Sequence, residues 1–563
     1  MLFTAAVACA LAAGSSAFIT GTDDIPLIGP SFLSNVDLSN SQHLQDAKSE
    51  FSNRIEELFS SGKLNRTDLV FAVDIFSANT NGSIHEYFHV GEGQEEVLTS
   101  GRLDFNTIGR LGSVSKLFTA YALVAEAGIE VFSHPVTRYF PELRGNSSSV
   151  PLNRIHWDEI TVGALASHQA GTGGVGDFFL KYAQTPEKIT TEAFLSFLRD
   201  EKRPNMPAYR NALYSDAGYS LLGHVLARIT GQSYPDSMQK ILFGPLGMNS
   251  TTAKPPTRPD LNAINRYLVD NTSSWNVDVQ VTAPLADMRK VGLSILNSEL
   301  ISPATTRAWM KPLSGTGSLV ELVGAPWEIS RLTIPATPGS NRTRVSDLYT
   351  KAGGNGDYTA VLGLSPDHGF GFSILVAGKT ASSARWPIRQ AIGEIFVPAA
   401  ERAAAVNAEE NLTGTFVDEN SESTNITLSF EDGKPGLGLD SFYVEGQDSR
   451  YLLQGAKEPS DAVLRIYPTG PSFTSSSLTE LYRTKGTLLV SHRFVAQRAP
   501  TPPRASALGG EGLFENYFEW MNIGFNGPLD ELVFEIEDGK LVSVTIAGAE
   551  LASGRQMVLK RVD

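Results

Sequence analysis

Residues 109–128 read "GRLGSVSKLFTAYALVAEAG". Beyond Gly112 the run is apolar and small, and it stops at Gly128, a residue suited to a helix C-terminus. The pattern predicts a helix over 113–128. Such a helix puts Ser113 and Lys116, three residues apart, on one face of its first turn. A lysine in an otherwise greasy helix is costly to desolvate. One reading makes the serine an N-cap and lets the lysine snorkel back to water. The other makes the serine a nucleophile and the lysine its base, at a helix N-terminus whose free N–H groups can hold an oxyanion. The four-residue pattern alone does not separate the two.

The chain before this stretch sets its frame. In residues 42–61, "QHLQDAKSEFSNRIEELFSS", Leu44, Ala47, Phe51, Ile55 and Leu58 recur at helical spacing. Residues 68–91 hold two β-rich runs separated by the turn signal Asn81-Gly82. The order helix, strand, strand, helix predicts a mixed α/β domain with an antiparallel sheet. Residues 130–310 read as helices and loops. Residues 347–378 return to β pattern and read as two strands around Pro366-Asp367. "RWPIRQAIGEIFVPAAERAAA" reads as a closing helix followed by a linker. After residue 408 short alternating strands follow, with hairpin signals at Asp432-Gly433 and Asp538-Gly539. Residues 408–563 are therefore expected to form a separate all-β domain, a small barrel or sandwich.

Composition limits the function. The 563 residues are 41% hydrophobic and 19% charged, as in a globular protein with a sizeable core, and the formal net charge is −15. A negative surface repels phosphate backbones, so nucleic acid is not an expected partner. Residues 1–17 are apolar and end in Ser15-Ser16-Ala17, which predicts a signal peptide cleaved after Ala17 and a secreted protein without stable membrane insertion. The single cysteine, Cys9, falls inside that segment, so the mature chain has no thiol to use as nucleophile, zinc ligand or disulfide. Eight N-x-S/T sequons, at Asn65, Asn81, Asn146, Asn249, Asn271, Asn341, Asn411 and Asn425, suit a glycosylated protein.

The flanks of Ser113 carry a resemblance. The stretch 109–128 resembles the active-site helix of the serine β-lactamase and penicillin-binding-protein superfamily, in its class C β-lactamase, D-alanyl-D-alanine carboxypeptidase and family VIII esterase branch. Further blocks follow in the order of that family: "VFSHPVTRYFPEL" (131–143), "ITVGALASHQAG" (160–171), "YSDAGYSLLGHVLARITG" (214–231), "FGPLGMNSTT" (243–252) and "KAGGNGDYTAVLGLSPDHGFGFSILVAG" (351–378). The resemblance spans about residues 44–400. It implies an antiparallel sheet flanked by helices, a helical subdomain and the appended β-domain, with a catalytic domain over 18–400.

Carried over, the resemblance implies that Ser113 is the acylated nucleophile and Lys116 its base or electrostatic partner. Tyr214 would carry protons to the leaving group and from the deacylating water. Lys351 would stabilise phenolate at Tyr214 and attract a substrate anion. The backbone N–H groups of Ser113 and Gly354 would form the oxyanion hole, and Asp216 and Gly353 would contact substrate. No metal and no organic cofactor is implied.

Two departures bear on specificity. The family's Tyr-x-Asn reads Tyr214-Ser215-Asp216, and an ionised carboxylate cannot donate to a substrate carbonyl as an amide can. The family's K-T-G reads Lys351-Ala352-Gly353, without the hydroxyl that binds a carboxylate. Both changes remove groups that recognise acylamino-carboxylates. The expected chemistry is hydrolysis or acyl transfer on a small ester, lactone or amide. The alternatives are a D-amino-acid-directed amidase or β-lactamase, and a catalytically inactive binding member.

Other signals are set aside. "GTGGVG" (171–176) matches a dinucleotide fingerprint but follows a helical run instead of a strand, so it reads as a glycine loop beside the site. His85 and His89 lie in strand-like sequence with no third ligand for zinc. His168 reads as a packing or hydrogen-bonding residue.

Overall fold

The computed structural model describes residues 29–98, 100–144, 154–255, 263–264, 277–335, 337, 343–354, 356–450, 464–471, 485–496, 530–550 and 555–563. The leader 1–17 and the sequons at Asn146, Asn271 and Asn341 lie outside these residues. Helix α1 (Gln42–Ser60) buries Leu44, Ala47, Phe51, Ile55 and Leu58, the stripe its sequence period marks. Strands β1 (Val70–Ser77) and β2 (Gly82–Val90) form the expected antiparallel pair, and Asn81 enters β2 with a positive φ of 51°.

Later in the chain come β3 (Ser314–Gly315), β4 (Glu321–Val323), β5 (Glu328–Pro335), β6 (Thr343–Gly354), β7 (Tyr358–Ser365) and β8 (Phe370–Ala377). Among the described residues these eight strands make one antiparallel sheet in the order β2-β1-β8-β7-β6-β5-β4-β3. The stretch expected to hold two strands thus holds parts of three. Pro366-Asp367 turns between β7 and β8 as read, but the run 347–354 is itself strand, cut from β7 by glycines that hide the break in pattern.

Both faces of this sheet are covered, so β1 and β8 bury every residue. In β1, Phe71, Val73 and Ile75 face α1 and a long closing helix, while Val70, Ala72 and Phe76 face the core that holds α2 (Val114–Ala127). Asp74 sits buried in the middle of β1, with the Ser83 hydroxyl donating to it at 2.6 Å and Arg289 3.8 Å away. Burial pushes its carboxyl up to about 7, against the pull of Ser83 and Arg289. Between α2 and β3 the chain builds the helical subdomain, including α3 (Asp216–Thr230), and then α4 (Leu285–Asn297), which packs on β1, β7 and β8.

The expected linker after the closing helix is absent. Helix α5 (Ala381–Asn411) runs through it without a break. The alanine-rich stretch 399–408 is a strong helix former, and burial holds it. Ile388, Ile392 and Phe396 pack on the sheet, while Ala404, Ala405 and Ala408 pack into the next domain. A buried cluster sits beside this junction. The Arg344 guanidinium donates to both oxygens of Glu401 (2.8 and 2.6 Å) and to Asp367 (2.8 Å), and His368 contacts Glu401 at 2.6 Å.

The C-terminal strands are β9 (Gly414–Asp418), β10 (Ser421–Ser429), β11 (Leu437–Val444), β12 (Gln447–Asp448), β13 (Leu464–Pro471), β14 (Thr487–Ala496), β15 (Glu531–Glu537), β16 (Lys540–Glu550) and β17 (Gln556–Arg561). Their order is β10-β9-β17-β16-β15-β14-β13-β11-β12, and β10 also pairs with β11. That pairing closes a barrel, which removes the sheet edges. Its interior is filled by alternate residues such as Phe416, Ile426, Val490, Phe534 and Val544, all buried. Asp538 and Gly539 form the two-residue turn between β15 and β16, with φ of 47° and 88°. A turn with two positive φ angles matches strand twist and favours Asp-Gly. Among the described residues no helix is long and apolar enough to cross a membrane.

Candidate active site

Ser113 occupies the N-cap position of α2, yet its hydroxyl makes no capping bond. Lys116 does not snorkel, since it is buried at 4% exposure. Its ammonium donates to Ser113 Oγ at 3.0 Å and to Asp216 Oδ1 at 2.7 Å. The Tyr214 hydroxyl reaches Ser113 Oγ at 2.6 Å. The serine oxygen is therefore held between an ammonium and a phenol, 101 residues apart in sequence at the farther of the two.

Local structure explains this convergence. The Ser115 hydroxyl accepts from the Val281 N–H at 2.9 Å and ties the first turn of α2 to the segment leading into Thr282–Ala283. Tyr214 stands just before α3. The Ser215 hydroxyl caps that helix by accepting from Gly218 N–H at 2.8 Å, and it donates to Gly173 O at 2.8 Å. The glycine loop 171–176 thereby packs against the start of α3, beside the site as read from sequence.

His168 brackets the tyrosine. Its carbonyl accepts from Leu213 N–H at 2.7 Å, and its ring Nδ1 accepts from Ser215 N–H at 3.1 Å. Its ring lies against that of Tyr214, centroids 4.6 Å apart. The residue adopts φ 60°, an uncommon conformation away from glycine that clusters at functional sites. Burial, with Lys351 and Lys116 nearby, pushes the imidazole pKa well below its ordinary value, so the ring is neutral and acts through packing and hydrogen bonding.

The charges form a chain. Burial alone would lower the Lys116 pKa, but the pull of Tyr214, Asp216 and Asp278 outweighs it and holds the ammonium above the ordinary lysine range. Asp278 accepts from the Ser220 hydroxyl at 3.1 Å, and burial raises its own pKa against the pull of Lys116. On the opposite wall Lys351, also buried, donates to Glu328 and to Ala352 O at 2.7 Å. Its ammonium lies 5.2 Å from the Tyr214 ring centroid, the same distance as that of Lys116. Lys351, expected to stabilise charge at Tyr214, thus stands near its ring while its ammonium is ion-paired with Glu328. A carboxylate on the neighbouring strand β5 is a stronger acceptor than a phenol.

Gly112 and Gly353 allow α2 and β6 to meet. A Cβ on Gly353 would lie 2.3 Å from both Ser113 N and Leu111 O, and one on Gly112 would lie 2.4 Å from Gly354 N. Only bare backbone brings the amide groups of Ser113 and Gly354 to one wall of the cleft. Gly353 therefore serves close packing, and its carbonyl is occupied by the Thr359 hydroxyl at 2.6 Å. Asp216 faces the cleft half-exposed, with one oxygen taken by Lys116. The cleft measures about 760 Å³, and Ser113, Lys116, Tyr214, Asp216, Lys351 and Gly354 all line it.

A family model described as "Beta-lactamase" matches residues 85–393, more than half of the chain. The chain belongs to the beta-lactamase family. A second model, "Beta-lactamase-like-like, C-terminal domain", matches residues 404–556, the barrel. The chain is 26% identical to a "Beta-lactamase-like protein" from Arthroderma benhamiae, over 91% of this chain and 92% of that one. It is 23% identical to a "Probable hydrolase clz13" from Cochliobolus lunatus, over 85% and 83%. Among solved structures a class C beta lactamase from Rhodobacter sphaeroides aligns with 20% identity and a TM-score of 0.45, covering 62% of this chain and 99% of that one. The fold is that of beta-lactamases with an appended barrel.

Sequence reading did not find Glu328 and Asp278. Each approaches the cleft from a strand or loop far from any recognised block, and a lone acid in "PWEIS" or "NVDVQ" carries no periodic signal.

Proposed function

We propose that this protein is a serine hydrolase or transacylase that opens a small ester, lactone or amide through an acyl-enzyme on Ser113. One observation carries the reading: Ser113 Oγ, left free of its capping role, lies within hydrogen-bond reach of both Lys116 and Tyr214. With two carboxylates holding Lys116 cationic, the amine is a poor base. Its role is then electrostatic, and the Tyr214 oxygen is the proton acceptor within reach. Ser113 Oγ attacks the carbonyl carbon as its proton passes to the Tyr214 oxygen. The oxyanion is met by the N–H groups of Ser113 and Gly354. Tyr214 then protonates the leaving group, and water or an alcohol releases the acyl group by the reverse path.

We also propose that the chain enters the secretory route and carries glycans. The apolar leader and the sequons support this, with Asn65, Asn81 and Asn249 on exposed positions. Glycosidase treatment of protein from a eukaryotic host should shift its mobility.

The chemistry is tested by incubation with a serine-directed fluorophosphonate and with p-nitrophenyl butyrate. The native protein should label and turn over the ester, and Ser113→Ala should do neither. Equal labelling of both proteins, or labelling of neither, would contradict the reading.

A further inference from the structure

The wall opposite Asp216 has the parts of an anion receptor. Lys351 is a buried ammonium, Ala352 presents a backbone N–H, and Arg385 lines the same cleft. Arg389 lies one helical turn further along α5, and both guanidinium groups sit over the Trp386 ring, at 4.4 and 4.8 Å. A cluster of cations beside a backbone donor is the chemistry that binds a carboxylate.

That receptor is already filled from within. One oxygen of Glu328 takes the Lys351 ammonium, and the other accepts from the Ala352 N–H at 2.9 Å. Burial disfavours the charge on Arg385 and Arg389, and the same carboxylate opposes that effect at both. The second ammonium hydrogen of Lys351 goes to Ala352 O. Position 352 itself is alanine, with no hydroxyl to add a donor. Glu328 remains partly exposed, at 36% of its side chain, so its charge faces the space a substrate must enter.

We propose that Glu328 is an internal anion that sets the specificity of this cleft, selecting acyl substrates with no carboxylate near the scissile bond. An incoming carboxylate meets a like charge and finds both donors taken, and like charges brought together in a binding site are strongly disfavoured. A neutral acyl or leaving group meets neither obstacle. Glu328 is here a specificity residue, and the proposal rests on Ser113 chemistry only for its kinetic test.

The kinetic arm compares p-nitrophenyl butyrate with the hemi-ester p-nitrophenyl glutarate. The native protein should prefer the neutral ester. Glu328→Gln keeps the size of the side chain and leaves Lys351 without the carboxylate it pairs with. It should shift the ratio of kcat/KM toward the anionic ester by about tenfold or more. A ratio that stays within twofold would overturn the proposal. The second arm needs no turnover. Binding of monomethyl glutarate is titrated on Ser113→Ala and on Ser113→Ala/Glu328→Gln, with melting curves confirming that both are folded. Affinity should rise about tenfold in the double variant, and equal affinities would overturn the proposal. If neither ester is hydrolysed by the native protein while the binding arm responds as expected, the acyl-enzyme reading fails and the assignment of Glu328 stands.

Discussion

The barrel and the cleft are built on opposite principles. In the barrel, alternate residues point inward and burial follows the pattern of the chain. Leu532, Phe534 and Ile536 are buried while Glu537 is exposed, and the neighbours of each strand are mostly its neighbours in sequence. In the cleft, the groups that matter are polar or charged, some buried as Lys116 and Lys351 are and some open to the cleft as Tyr214 and Glu328 are, and they come from positions 113, 116, 214, 278, 328 and 351. Hydrophobic patterning specifies the first kind of structure and leaves the second almost unmarked. Helix α5 joins them, since its first half packs on the sheet and its last turns enter the barrel core.

The comparison is sharpened most by Tyr214→Phe. Removing the phenol oxygen while keeping the ring on His168 should lower kcat by about 10²–10⁴-fold, with the melting temperature little changed. A loss of stability in place of rate would make Tyr214 a packing residue and blur the line between the two regions. Phe534→Ala tests the other side. Emptying its place in the barrel core should cost about 3–5 kcal/mol of barrel stability in denaturant titration. Ser113 labelling per folded molecule should survive. Loss of labelling in molecules that remain folded would show that the barrel shapes the cleft through α5.

A smaller effect is expected at Asp74, the one charge in a strand otherwise built by patterning. Its folded-state pKa, raised to about 7, lies above the ordinary carboxylate value, so the folded state binds a proton that the unfolded state releases. Stability should therefore fall as pH rises from about 4 to about 7. Asp74→Asn should flatten that slope and gain about 1–2 kcal/mol at pH 8, with little change near pH 4. Urea titrations at the two pH values check the sign.

The parts of the molecule that were legible follow the same division. The hairpin at Asp538-Gly539 and the stripe on α1 could be read because each is a local pattern with a single geometric solution. Ser113, Lys116, Tyr214 and Lys351 could be placed only through ordered family blocks, and the fold brings them to one cleft. The linker expected after residue 400 failed because an alanine-rich stretch looks alike whether solvated or buried as helix. Glu328 was invisible because its partner, Lys351, is met across a strand pairing that no local spacing announces. His168 showed its character as a packing residue, but not that its two acceptors hold both neighbours of Tyr214.

The central claim is that the hydroxyl of residue 113 forms a covalent bond to substrate acyl groups. Mass spectrometry of the intact protein after brief exposure to a panel of activated esters, followed by peptide mapping, tests it directly. The account expects one added acyl mass, located on the peptide that contains Ser113 and absent from Ser113→Ala. An adduct that maps to any other residue, or one that persists in Ser113→Ala, would contradict it.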